Sequence, residues 1–145
     1  MDTPEQVKIW KRIRGDAQPI TDGLPGLTAG ALAEATLYGN LARQTQGPGQ
    51  KILLSLQEDA LSAARCLKGI YQIATGMAMN VAAVPPANEN TDVALRKSYG
   101  RALKTLTAYE SRSHHGEYGA VFSCLAAKKR EHCCKIAELM GLLGV

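Results

Sequence analysis

Residues Gly116–Gly141 read GEYGAVFSCLAAKKREHCCKIAELMG. At helical spacing, Phe122, Leu125, Lys129, His132, Ile136, Leu139 and Leu143 fall on one line. Five of the seven are apolar, so the line is expected to face a core. A lysine and a histidine stand one turn apart in the middle of it. Burying either is costly without a partner, so the partners of Lys129 and His132 on facing helices become the question to answer.

The whole-chain numbers narrow the setting. A chain of 145 residues, 46% hydrophobic and 21% charged, suits one globular domain. One Trp and one Phe among many Ala and Leu favour helix over sheet. The net charge of +4 is modest and its basic residues are scattered, which argues against a nucleic-acid partner. Lys128-Lys129-Arg130 is the densest basic run, yet part of it points inward on the stripe. The start, MDTPEQVKIWKRIRG, lacks the apolar centre of a signal peptide and no stretch is long enough to span a bilayer. A cytoplasmic protein with no membrane partner is therefore expected. Four cysteines, Cys66, Cys124, Cys133 and Cys134, lack C-x-x-C spacing and are expected as free thiols.

Taken in order, Pro4 to Arg14 suggests a brief amphipathic helix anchored by Trp10, and GDAQPITDGLPGL reads as an extended linker. These make an N-terminal arm over residues 1–27, ahead of a bundle over 28–145. Helix one is expected from Thr28, as N-cap, to Gln44 or Thr45, with Glu34, Leu37, Tyr38 and Leu41 on one side. Gly47-Pro48-Gly49 stops it. Helix two, from Gln50 to Ala74, carries the stripe Leu53, Leu56, Ala60, Ala63, Leu67, Ile70 and Ala74. Beside that stripe runs a second line of Leu54, Glu58 and Leu61. The break GMAMNVAAVPPANENTD follows, where Pro85-Pro86 forbids helix. Helix three then runs from Thr91 or Asp92 to Ser111 or Ser113, striped by Leu95, Tyr99, Ala102, Leu106 and Tyr109. SHHGE leads into helix four. His114 and His115, in that turn, are expected to be solvated.

Two hairpins with tight turns, joined by a longer crossover, make an all-α four-helix bundle of ferritin-like arrangement. Residues equidistant from a turn share a level, which places Glu34 and Glu58 together at mid-bundle. Two facing carboxylates call for a cation between them. The candidates are a metal ion and the Lys129 ammonium.

At these residues the chain resembles the ferritin-like superfamily, and within it the rubrerythrin-type diiron proteins. The resemblance rests on Leu32-Ala33-Glu34-Ala35-Thr36-Leu37-Tyr38, Leu56-Gln57-Glu58-Asp59 and Arg130-Glu131-His132. It implies Glu34, Glu58 and His132 as metal ligands, with Lys129, Tyr38, Leu61 and Tyr99 lining the site. Leu61 stands where the family has His, Lys129 where it has Glu, and Tyr99 near a further absent Glu. An alternative register led by Glu131 puts Cys134 in the ligand position.

Two readings follow. In the first, Lys129 replaces the metals and pairs with Glu34 and Glu58, and the role is structural or interaction-based. In the second, Glu34, Glu58 and His132 hold one weakly bound iron or other divalent ion for peroxide or iron chemistry. A homodimer is the expected assembly by analogy with the class. A binding module presenting the Trp10 arm to another protein is a third, generic class.

Overall fold

The computed structural model describes residues 3, 19–82, 85 and 88–145. Among the described residues the regular structure is four α-helices: α1 Leu24–Arg43, α2 Pro48–Thr75, α3 Thr91–Arg112 and α4 Gly119–Leu143. No strand occurs among the described residues. Pro4–Arg14 with Trp10, the expected helical part of the N-terminal arm, lies outside them.

Local chemistry sets the ends. The first helix starts four residues earlier than the Thr28 N-cap expected from sequence. Gly23 takes the left-handed conformation at φ 77°, and Pro25 sits in the first turn, where its missing N–H costs nothing. Thr28 turns inward, its hydroxyl donating to the Leu24 carbonyl at 2.8 Å. The last part of the expected linker is thus helix. Gly47 and Pro48 open α2, and Gly76, at φ 74°, closes it. The last helix begins at Gly119 rather than Gly116. His115 explains that start: its Nδ1 accepts the N–H groups of Glu117 and Tyr118, each at 3.2 Å. A Cβ on Gly119 would lie 2.5 Å from the Ser113 carbonyl oxygen, so the turn closes only around glycine.

Two core clusters fix the helix directions. One joins Tyr38 and Leu41 of α1, Leu53 and Leu56 of α2, Leu95 and Ala102 of α3, and Ile136 and Leu139 of α4. The other joins Leu24, Leu67 and Ile70, Tyr109, and Phe122 and Leu125. The early residues of α1 and α4 therefore lie at the same end, with the late residues of α2 and α3. α1 and α4 run one way, α2 and α3 the other. Packing is most extensive within the α1–α2 and α3–α4 hairpins, with α2 against α4 and α1 against α3 closing the square. α1 and α4 face each other across its diagonal. The end of α2 and the start of α3, two parallel helices, thus lie at opposite ends of the bundle. At the first of these ends, Arg112 ties α3 to the start of α1 by donating to the Asp22 carbonyl at 2.8 Å.

The α4 stripe faces inward as its spacing demands: Phe122, Leu125, Lys129, His132, Ile136 and Leu139 are all buried. On α3 the expected stripe holds at Leu95, Ala102 and Tyr109, all buried, and departs from expectation at one position. Ser98 is fully buried and Tyr99 is 37% exposed. No described helix is long and apolar enough to cross a membrane.

Candidate functional site

At mid-bundle, on the diagonal between α1 and α4, lies a small polar cluster inside the apolar core. The Lys129 Nζ stands 3.3 Å from Oε2 of Glu34, with their side chains only 6% and 7% exposed. One turn along both helices, the Tyr38 hydroxyl lies 2.8 Å from Nε2 of His132 and is also bonded to the Ser98 hydroxyl. The His132 Nε2 is 3.8 Å from the same Glu34 oxygen. Three helices meet here: Glu34 and Tyr38 from α1, Ser98 from α3, and Lys129 and His132 from α4.

The electrostatics assign protonation states. Burial first, then the ammonium charges of Lys129 and Lys135, push His132 down to about 3. The ring is neutral at physiological pH. Burial first, and the Glu34 carboxylate second, push the Tyr38 phenol well above its ordinary value, so it keeps its proton. A consistent chain runs from Ser98 as donor to Tyr38, and from Tyr38 as donor to Nε2 of His132. The proton of the neutral ring then sits on Nδ1. Among the described residues no buried side-chain nitrogen or oxygen is left without a hydrogen-bond partner. The net result is one ammonium, one carboxylate and a neutral hydroxyl–hydroxyl–imidazole string.

Of the residues expected at the site, Glu34, Tyr38, Lys129 and His132 come together. Glu58 does not. It lies on the outer face of α2, 67% exposed, and pairs with Arg65 at 2.9 Å. Sharing a level is not the same as facing inward: Glu58 is two positions past the buried Leu56, a rotation of about 200° on a helix. The same outward line leaves Leu54 49% exposed and Leu61 half-buried. Tyr99 points away as well, and Ser98 takes its place. In the alternative register, Glu131 and Cys134 are both exposed. An exposed pair such as Glu58–Arg65 contributes little, so Glu58→Ala should change unfolding free energy by less than about 0.5 kcal/mol. Chemical denaturation checks this, and a loss comparable to that from a core change would show a buried role.

The donor set does not fit a diiron centre. Such a centre needs a Glu from each of two helices and a Glu-x-x-His from each of the others, with carboxylates bridging two ions. Here one carboxylate and one imidazole converge, beside an ammonium. Among the described residues no group of three or more His, Cys, Asp or Glu side chains is placed to hold a metal ion.

A cavity of about 110 Å³ opens beside the cluster at the α2–α4 seam. Lys129 and His132 line its inner side; Asp59, Ser62, Cys66, Cys124 and Lys128 are among its other lining residues. Lys135 pins this seam, donating to Ser55 at 2.8 Å and to Asp59 at 2.7 Å. Sequence reading missed both this pin and Ser98. The signal for Ser98 was its place midway between Ala94 and Ala102 at four-residue spacing.

The fold and site define a helical bundle with an ion pair and a hydroxyl–imidazole string in its core. Compared with protein-family models, curated proteins and solved structures, the chain finds no match.

Proposed function

We propose that this chain is a ferritin-like bundle with a degenerate metal centre, in which the Lys129 ammonium takes the cation's place beside Glu34. Its role is then structural or interaction-based, and it is not an ordinary ferroxidase. The observation that carries this reading is the buried contact of 3.3 Å between Lys129 Nζ and Glu34 Oε2. Further support comes from the helix directions, with one long connection between the parallel helices α2 and α3 across the second diagonal of the square, a bundle with a single long crossover as in ferritin-like folds.

A buried pair of this kind gains little net stability, because desolvation offsets much of the attraction. What it supplies is register. Glu34 can meet Lys129, and Tyr38 can meet Ser98 and His132, at only one sliding position of α1 against α3 and α4. The alternative, a metal-dependent role for Glu34, Glu58 and His132, has less support. It requires Glu58 to leave its solvent-facing ion pair and Lys129 to withdraw from Glu34.

Elemental analysis of the protein purified from iron-supplemented cells tests the proposal. Substoichiometric iron, unchanged in Glu34→Ala, is expected. Stoichiometric iron that disappears in Glu34→Ala would overturn it and favour the metal-dependent reading.

A further inference from the structure

We propose that Cys66 and Cys124 are a thiol pair that closes to an intramolecular disulfide across the α2–α4 seam when hydrogen peroxide oxidises it. Both thiols are free and both line the cavity beside the Lys129 cluster.

The seam's register brings them level. Lys135 bonds Ser55 and Asp59, so residue 135 of α4 lies opposite about residue 57 of α2. Moving nine residues along each antiparallel helix from that level reaches Cys66 on one side and Ala126 on the other. Cys124 is two residues from Ala126, an axial offset of about 3 Å. The facing also matches. Ser55, Asp59, Ser62 and Cys66 follow one another at spacings of four, three and four, and so form one ridge of α2. Cys124 and Lys128, at a spacing of four, fall on the same side of α4 as Lys135. The ridges that meet at Lys135 and Asp59 therefore meet again at Cys124 and Cys66. The small side chains of Ser62 and Ala63 leave the space between them.

The two thiols have different surroundings. Cys124 is exposed and Cys66 is half-buried. Burial pushes the Cys66 thiol up, while the nearby Lys128 ammonium acts against that. Cys124 therefore meets the oxidant first. Its thiolate attacks the peroxide, forming an S–O bond as the O–O bond breaks. The departing hydroxide takes a proton and leaves as water, and the sulfur becomes a sulfenic acid. Cys66, losing its proton with Lys128 beside the developing thiolate, attacks that sulfur. An S–S bond forms, the S–O bond breaks, and the second oxygen leaves as water with the proton from Cys66. Two thiols and one peroxide become one disulfide and two waters. The bond ties α2 to α4 beside the buried ion pair.

The test treats the full chain with hydrogen peroxide, alkylates remaining thiols and maps peptides by mass spectrometry without reduction. The expected product is a monomer lighter by about 2 Da, with Cys66 and Cys124 peptides joined and Cys133 and Cys134 both alkylated once the chain is unfolded in denaturant. The linked form should melt on the order of 10 °C higher, because the bond closes a long loop. In Cys66→Ser, Cys124 should stop at sulfenic acid and be trapped by dimedone. Higher oxidation of Cys124 with Cys66 still alkylated would overturn the proposal, as would linkage between molecules or a midpoint that fails to rise.

Discussion

Lys129→Met is expected to destabilise the protein by about 3–5 kcal/mol, because it leaves the Glu34 carboxylate buried without its partner. That is a large share of the roughly 5–15 kcal/mol by which domains are stable. The double variant Glu34→Met/Lys129→Met should recover most of the loss. It removes both desolvation costs and fills the site with side chains of similar length, and such replacements of buried pairs are often neutral or stabilising. Denaturant unfolding of the wild type and the three variants completes the cycle. A Lys129→Met variant within about 1 kcal/mol of wild type would mean that the pair is not desolvated. A double variant as unstable as both singles combined would mean that the two residues act independently.

The second large effect is on pH. His132 sits at about 3 in the folded protein against 6.5 as its ordinary value. Its folded value is depressed, so between those limits the unfolded chain binds the extra proton and the folded chain does not. Stability from this residue is complete above pH 6.5. It is lost as pH falls toward 3, at about 1.4 kcal/mol per pH unit once the unfolded ring is charged. Other groups titrate in the same range, so the variant His132→Asn isolates the effect. Its amide can still accept from Tyr38 but cannot titrate. Unfolding free energies at pH 7.5 and 4.5 should differ by about 2–3 kcal/mol more in wild type than in His132→Asn. Equal differences would show that His132 takes up its proton without opening the core.

The helix-four stripe made most of this legible. An apolar line interrupted by Lys129 and His132 demanded buried partners, and the hairpin geometry named Glu34 as one of them. That step worked because Glu34 and Tyr38 share a face with Leu41, so level and direction agreed. It failed at Glu58, where the level was right and the direction was not. The line through Leu54 and Leu61 read as half-apolar, but its leucines lie on the outer flank of α2. Ser98 and Tyr99 were exchanged for a related reason: hydrophobic spacing favours the larger ring for the core position. The core position instead holds a hydroxyl, because Tyr38 needs a second hydrogen-bond partner there. Helix ends marked by glycine and proline were close to those expected. The start of α1 differed because Pro25 and Gly23 were read as linker, although both suit the first turn of a helix.

The central claim is that the Lys129 ammonium is buried, charged and bonded to Glu34. Nitrogen-15 NMR of the lysine ammonium groups tests it most directly. One Lys129 resonance is expected, from a protonated amine whose hydrogens exchange with water far more slowly than those of the exposed lysines, and whose protection is lost in Glu34→Gln. A Lys129 amine exchanging at the solvent-exposed rate, or one indifferent to Glu34→Gln, would contradict it.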